Sequence, residues 1–272
     1  MAINFSDCDV VINGTGLIAN SASISQKSSL ANLSPIGYYN SSVRSPESVI
    51  TSDIEINYIP KVDDINLLEI QKIKSNPFEV SFLNIDIGGL KCPALIKSYS
   101  LNFSPNEPAA ASVSFTTFYP ISGKISKKRG VIDYDNNESK FLHSWAINVD
   151  YGHTGFQSTY GFSYSCELNY QPVFTIGGKS PSDIIFLEGN ETISLIKEKF
   201  LEINFSGNLN NNSIIPLSGN VDSVSISNIS NYGTDFAERI SMDFKDSYVT
   251  ESKMNSSVNN YVVTEINLER SF

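Results

Sequence analysis

The second half of this chain repeats the first, weakly but in order, and that repetition restricts the fold to something built twice. Ser23-Ile24-Ser25 is answered by Ser163-Tyr164-Ser165, and Ile36-Gly37 by Ile176-Gly177. Ser45-Pro46-Glu47-Ser48-Val49-Ile50 is answered by Ser180-Pro181-Ser182-Asp183-Ile184-Ile185. Glu79-Val80-Ser81-Phe82 then meets Glu202-Ile203-Asn204-Phe205, Ser98-Tyr99-Ser100-Leu101 meets Ser223-Val224-Ser225-Ile226, and Val113-Ser114-Phe115 meets Ile240-Ser241-Met242. The drift in spacing needs only loop-sized insertions and deletions. One such match is chance; six in unbroken order argue for two copies of one unit. A length of 272 residues suits two domains of about 130 residues, each with its own core. The expected division is a first domain at 1–122, a linker at 123–140, a second domain at 141–252 and a C-terminal strand or arm at 253–272.

The repeated unit is a β unit. Asp53-Ile54-Glu55-Ile56-Asn57-Tyr58-Ile59 alternates with period two, as a strand with one wet face does. Ser98 to Phe103, Ser223 to Ser227, Val113 to Phe118 and Tyr261 to Leu268 read the same way. Gly88-Gly89, Ser104-Pro105-Asn106, Gly177-Gly178 and the Asn-rich stretch from Asn208 to Asn212 separate them as turns. One helix is expected, from Val62 to Lys74. Asp63 and Asp64 sit in its first turn, Ile65, Leu68 and Ile73 on one face, Lys72 and Lys74 at its end and Pro77 just beyond. The second copy offers only Ser194 to Phe200 in the matching place, one turn at most. The fold class is therefore mainly β: two tandem, similar antiparallel β-sandwich or partial-barrel domains, each with at most one short flanking helix.

Composition removes several functions. No run of 18 apolar residues exists to span a bilayer. The first twelve residues lack the basic region and apolar core of a signal peptide, and with Met1 in place a product made in a cytoplasm is expected. Cys8, Cys92 and Cys166 are too few and too widely spaced for a disulfide framework or a metal pattern, and read as reduced thiols. Charge is divided unequally. Residues 1–130 carry 11 Lys/Arg and 11 Asp/Glu, whereas 131–272 carry 8 and 18, so the whole excess of negative charge lies in the second half. Such a half repels phosphates.

The chemistry-bearing patterns dissolve on inspection. Gly14-Thr15-Gly16-Leu17-Ile18-Ala19 matches a dinucleotide fingerprint, but the fingerprint works only where a helix begins. Here Ser21 to Gln26 alternates as a strand, so a tight glycine turn is expected instead. His143 and His153, with Trp145, Asp150 and Tyr151, flank a strand from Ser144 to Val149 rather than build an acid–base or metal site. No nucleophile elbow, zinc-protease motif or phosphate loop is present. The expectation is no enzyme, with no catalytic residue, metal or cofactor. The aromatic row Tyr151, Phe156, Tyr160, Phe162, Tyr164, Tyr170 and Phe174 reads as an intersubunit seam, with Phe156, Tyr160, Phe162 and Tyr164 as its candidates.

Each copy opens with a Ser-rich alternating strand, Ser21-Ala22-Ser23-Ile24-Ser25 or Gly161-Phe162-Ser163-Tyr164-Ser165. A loop with Ile36-Gly37 or Ile176-Gly177 follows, then a turn at Ser45-Pro46 or Ser180-Pro181, a strand entering an amphipathic segment, and a late pair of long strands. Over residues 9–250 this pattern resembles the tube domain of bacteriophage tail tube and baseplate hub proteins and of related contractile injection systems. The resemblance implies a structural virion protein that forms a ring of the tail tube or hub around the DNA channel. It implies a homotrimer giving a pseudo-sixfold ring, or a homohexamer. Partners would be other tail tube, baseplate or sheath proteins, with DNA as passing cargo and no membrane insertion. The place would be the virion tail, assembled in the host cytoplasm. Period two then makes Ser98, Ser100 and Asn102, with Ser223, Ser225 and Ser227, the candidate channel-facing residues. The competing class is a tandem β-sandwich carbohydrate-binding protein or adhesin that uses the aromatic row.

Overall fold

A computed structural model describes residues 9–27, 30–33, 43–46, 51–61, 63–105, 107–125, 147–151, 156–176, 178, 180–199, 220–221, 224–228, 242–243, 247–255 and 263–272. The chain is mainly β, with antiparallel pairing throughout the described strands and a single described helix. The first half closes a six-stranded barrel. Its strands are β1 (Val10–Ile12) and β2 (Thr15–Lys27), then, after a small pair β3 (Leu30–Leu33) and β4 (Val43–Pro46), β5 (Thr51–Ile59), β6 (Leu83–Ile87), β7 (Leu90–Phe103) and β8 (Ala110–Thr117). The order is β7-β6-β1-β2-β5-β8, and β8 returns to pair with β7. β9 (Ser122–Gly123) pairs with the start of β7.

Two tight hairpins set the barrel's registers. Asn13 and Gly14 both take positive φ, 46° and 84°, which is the turn that matches strand twist in a two-residue hairpin. This disposes of the dinucleotide fingerprint: a strand, not a helix, follows the glycines, and no row of helix amides faces a ligand. Gly88 and Gly89 close the β6–β7 hairpin in the same way, at φ 58° and 99°.

The helix α1 (Ile65–Ser75) lies between β5 and β6. Asp64 is its N-cap, its carboxylate accepting from the Asn66 amide, and Lys72 and Lys74 occupy the last turn. Leu67, Ile70 and Ile73 form the buried face, whereas Leu68, expected on that face, is 47 % exposed. In the second half the segment from Ser194 is strand rather than a helical turn, because Thr192-Ile193-Ser194-Leu195 alternates and completes the long strand β12 (Asp183–Lys199). β12 forms a hairpin with β11 (Phe156–Val173). β13 (Asn220–Val221), β16 (Ser247–Asn255) and β17 (Val263–Ser271) continue that sheet, which runs β7-β11-β12-β17-β16-β13. β10 (Ile147–Tyr151), β14 (Val224–Asn228) and β15 (Met242–Asp243) make a separate three-stranded sheet. The segment 253–272 therefore supplies the end of β16 and all of β17, which pairs on both sides.

The two halves share one strand run. In the first it is β2-β5-β8-β7; in the second, β11-β12-β17-β16. The registers correspond pair by pair. Ile24↔Ile54 stands where Tyr164↔Ile193 stands, Ile54↔Phe115 where Ile193↔Leu268 does, and Ser98↔Ser114 where Glu251↔Asn267 does. Irregularities correspond too. The break between Ala19 and Ser21 matches that between Thr159 and Gly161, and the break between Ile96 and Ser98 matches that between Val249 and Glu251. β-Bulges are positional features, so two in common bind the runs more closely than strand count does. The last two sequence matches fall elsewhere: Ser223 to Ile226 and Ile240 to Met242 lead to β14 and β15, while β16 and β17 stand where β7 and β8 do. Every half-wet strand has period two, so an alternating Ser/Ile segment matches any other.

Candidate functional site: a continuous polar sheet face

The two runs meet edge to edge. β7 is long enough for two neighbours on one side: β6 pairs with Leu90 to Ala94, and β11 then pairs with Ser98 to Phe103. Eight strands, β2-β5-β8-β7-β11-β12-β17-β16, consequently form one sheet with two unlike faces. Facing inward are Ile54, Ile56, Tyr99, Leu101, Val113, Phe115, Tyr164, Cys166, Ile193, Leu195 and Leu268, all buried. Facing outward across the first run are Ser21, Ser23 and Ser25, then Asp53, Glu55 and Asn57, then Ser112, Ser114 and Thr116, then Ser98, Ser100 and Asn102. The second run continues with Ser163, Ser165, Glu167 and Asn169 on β11, Glu188, Asn190, Thr192 and Ser194 on β12, Glu265, Asn267 and Glu269 on β17, and Glu251 on β16.

The register aligns these side chains in rows. Ser100 lies between Ser112 and Ser165, and Asn102 between Ala110 and Ser163. Of the acids on this face, Asp53 is balanced by Lys27 at 3.5 Å and Lys97 at 3.8 Å. Glu167, Glu188, Glu251, Glu265 and Glu269 all belong to the second half, so part of its charge excess stands on this surface. Glu188 accepts from Asn169 at 3.1 Å and Glu251 from Asn267 at 2.9 Å. Short hydroxyls, amides and carboxylates in rows make a wet surface with donors and acceptors at every step. The arrangement holds no nucleophile–base pair, and among the described residues no group of three His, Cys, Asp or Glu is placed to hold a metal.

Beneath the face, two polar knots hold the runs in place. Asp64 accepts from Tyr58 Oη at 2.7 Å, from Tyr99 Oη at 3.0 Å and from the Asn66 amide at 2.9 Å, tying the helix start to β5 and β7. Burial pushes the Asp64 carboxyl up, against the pull of those hydrogen bonds, and pushes both tyrosine hydroxyls well above their usual range. The second knot crosses between the halves. Glu191 on β12, its side chain 1 % exposed, meets Lys74 of α1 at 2.9 Å and Arg270 of β17 at 2.7 Å, and accepts from Tyr164 Oη at 2.5 Å. Helix α1 is thus shared by both runs. The buried thiols of Cys92 and Cys166 are pushed up to about 11 and about 12 by burial, which keeps them protonated and unreactive.

Of the residues singled out from the sequence, Ser98, Ser100 and Asn102 lie together on the polar face. Ser225 and Ser227 lie on β14, in the separate sheet, and Ser223 falls outside the described residues. Phe162 and Tyr164 are 4 % and 2 % exposed and pack under the β7–β11 junction, against Phe103 at 5.7 Å and Tyr99 at 6.0 Å between ring centres. The seam they fill joins the two halves of one chain. Tyr160 occupies the bulge of β11 and is 37 % exposed; Phe156 opens that strand. His143 and His153 fall outside the described residues. Most of the face, from Ser163 to Asn267, was not singled out from the sequence. Its signal was the same alternation, spread over strands whose adjacency only the fold reveals. Glu191 had no local signal, since its partners are 117 and 79 residues away.

No protein-family model matches the chain, and no curated protein matches it. Among solved structures, the chain is similar to a protein of the tail of an empty gene transfer agent particle refined with C6 symmetry. Identity is 17 %, the TM-score is 0.34, and 45 % of this chain and 99 % of that one are covered. It is similar to a chain of the virion of a native gene transfer agent particle at 16 % identity and a TM-score of 0.35, over 45 % and 99 %. It is also similar to the Dit protein of phage SPP1, described as a hub adsorption apparatus of phages that infect Gram-positive bacteria. There identity is 8 % and the TM-score 0.27, over 97 % and 99 %.

Proposed function

We propose that the chain is a structural ring subunit of a phage-type tail, three copies closing a pseudo-sixfold ring around a DNA channel, with no catalytic role. The observation that carries this reading is the β7–β11 junction. One four-stranded run adds its first strand, β11, to the free edge of the last strand, β7, of the other. Equivalent edges remain at the two ends of the eight-stranded sheet. Among the described strands, β2 beyond Leu17 pairs only with β5, and β16 beyond Tyr248 pairs only with β17. A sheet that ends as it is joined in the middle extends head to tail, and a head-to-tail contact that closes gives a ring without exposed edges.

The size agrees with three copies. At about 4.8 Å per strand, eight strands span about 38 Å and three chains about 115 Å, a cylinder about 37 Å across. Two chains make a cylinder of about 24 Å, which inward-pointing side chains on both walls nearly fill. The polar face, concave in such a ring, lines the channel with hydroxyls and carboxylates that repel phosphate and let a duplex slide. Ser98, Ser100 and Asn102 belong to that lining. The outer contacts, to tube, baseplate or sheath proteins, fall on the helix side and on the separate sheet, and the place of action is the virion tail after assembly in the host cytoplasm. Of the aromatic row that a carbohydrate-binding protein would use, Phe162 and Tyr164 are buried under the sheet and give that alternative no support, whereas Tyr160 and Phe174 are 37 % and 39 % exposed.

Native mass measurement on the full chain, at high concentration and with ring-shaped particles sought by electron microscopy, tests the reading. A mass of three chains with central pores is expected. A monomer that stays a monomer overturns it, and six chains per ring removes the pseudo-sixfold arithmetic.

A further inference from the structure

The junction inside the chain also specifies how two chains meet. We infer that β16 of one copy pairs antiparallel with β2 of the next in the register of β7 with β11, which sets Glu251 opposite Lys27 of the neighbour. The inference rests on the ring reading above and adds to it the register and the residues. Two correspondences between the runs fix that register. β7 maps onto β16 through Ser98↔Ser114 and Glu251↔Asn267, with the bulge one residue earlier in both, so Ser98 stands for Glu251, Ser100 for Lys253 and Asn102 for Asn255. β11 maps onto β2 through Tyr164↔Ile193 and Ile24↔Ile54, again with matching bulges, so Glu167 stands for Lys27, Ser165 for Ser25 and Ser163 for Ser23.

Within the chain, Ser98 faces Glu167, Ser100 faces Ser165 and Asn102 faces Ser163. Transferred to the ends of the sheet, these pairs become Glu251 with Lys27, Lys253 with Ser25 and Asn255 with Ser23. The charges are complementary where they were not used to find the register: a carboxylate on one edge meets an ammonium on the other. The geometry of both edges suits the transfer. β6 covers the start of β7 and leaves its second part open to β11; β13 covers Ser247 and Tyr248 and leaves the part of β16 beyond them with no described neighbour on the edge away from β17. β1 covers Thr15 to Leu17 of β2 and stops before Ser21. Lys27 reaches Asp53 of its own chain at 3.5 Å with its side chain 75 % exposed, and Glu251 is exposed, so both are accessible to a neighbour. Opposite charges directly across a strand pair stabilise, and like charges destabilise, which makes this pair a register lock as well as a contact.

The test uses cysteine pairs in the full chain with Cys8→Ser, the other two cysteines being buried. Ser23→Cys with Asn255→Cys and Ser25→Cys with Lys253→Cys should each give covalent dimers and trimers on mild oxidation. Ser21→Cys with Glu251→Cys, which the register holds about 20 Å apart, should give none. In parallel, Glu251→Lys should raise the concentration for half-assembly about fivefold, and the added Lys27→Glu should restore it. Native mass is read on every variant. Trimers with cross-links at both matched pairs and a charge-swap rescue support the register. Trimers that cross-link only at the mismatched pair, or not at all, overturn the register and leave the ring standing. A wild-type chain that is monomeric throughout overturns the ring and the register with it.

Discussion

Asp64 does three jobs with one carboxylate: it caps α1, it fixes Tyr58 of β5, and it fixes Tyr99 of β7, directly under the polar face. Burial raises its pKa, so the folded protein holds that proton more firmly than the unfolded chain does. The sign follows from linkage. The stabilisation is complete below the ordinary carboxylate range and is lost as pH rises through the higher folded value, where the buried site must accept a charge. Asp64→Asn keeps an N-cap acceptor and removes the titration. Urea melts across a pH series should show wild-type stability falling over that window and the Asp64→Asn variant flat across it. Equal slopes in the two proteins would mean that Asp64 does not titrate with folding.

At the scale of elements, the alternation in β7 decides which substitutions the sheet tolerates. Leu101 is 1 % exposed in the core and Ser100 stands on the wet face beside it. Leu101→Asp should cost about 3 kcal/mol or more and leave little folded protein, whereas Ser100→Asp should cost about 1 kcal/mol or less. Denaturant midpoints of the two variants check the face assignment; a folded Leu101→Asp protein would reverse it. This alternation was legible in the sequence, as were the helix and its Lys-rich last turn, but α1 starts at Ile65 and not Val62, so that Asp64, expected in the first turn, is the N-cap and Asp63 precedes it. Three things were not legible. Leu68 shares a helix with buried Leu67, Ile70 and Ile73 yet is exposed, because sheet contacts and not periodicity alone choose the buried stripe. Ser194 entered a strand because its partner Asn267 lies on the far side of a long excursion. The late strands of the second run were traded for β14 and β15, because period two carries no label that tells one wet strand from another.

For the whole molecule, the sequence showed that the charge excess lies in the second half but not where it faces. Glu167, Glu188, Glu251, Glu265 and Glu269 bring part of it onto the shared polar face, which in the proposed ring is the channel wall. Unmodified protein should then show no measurable affinity for duplex DNA even at low salt. The combined variant Glu167→Lys, Glu188→Lys and Glu269→Lys should bind duplex with an affinity that falls steeply as salt rises. Fluorescence anisotropy with a labelled duplex reads both. Tight binding by the unmodified protein would refute the charge argument while leaving the strand registers untouched.

The position of β17 sets a timetable. It lies between β12 and β16, and it brings Arg270 to Glu191 and the Phe272 ring against Phe186, at 6.2 Å between centres. During synthesis the first barrel has all its strands once Thr117 has emerged. The second run is missing an interior strand until Ser271 has emerged, so β12 and β16 wait with unpaired edges until then. Folding by halves therefore also delays assembly: the edge through which β16 would recruit a neighbour takes its final form only after β17 has slid into the middle of the sheet.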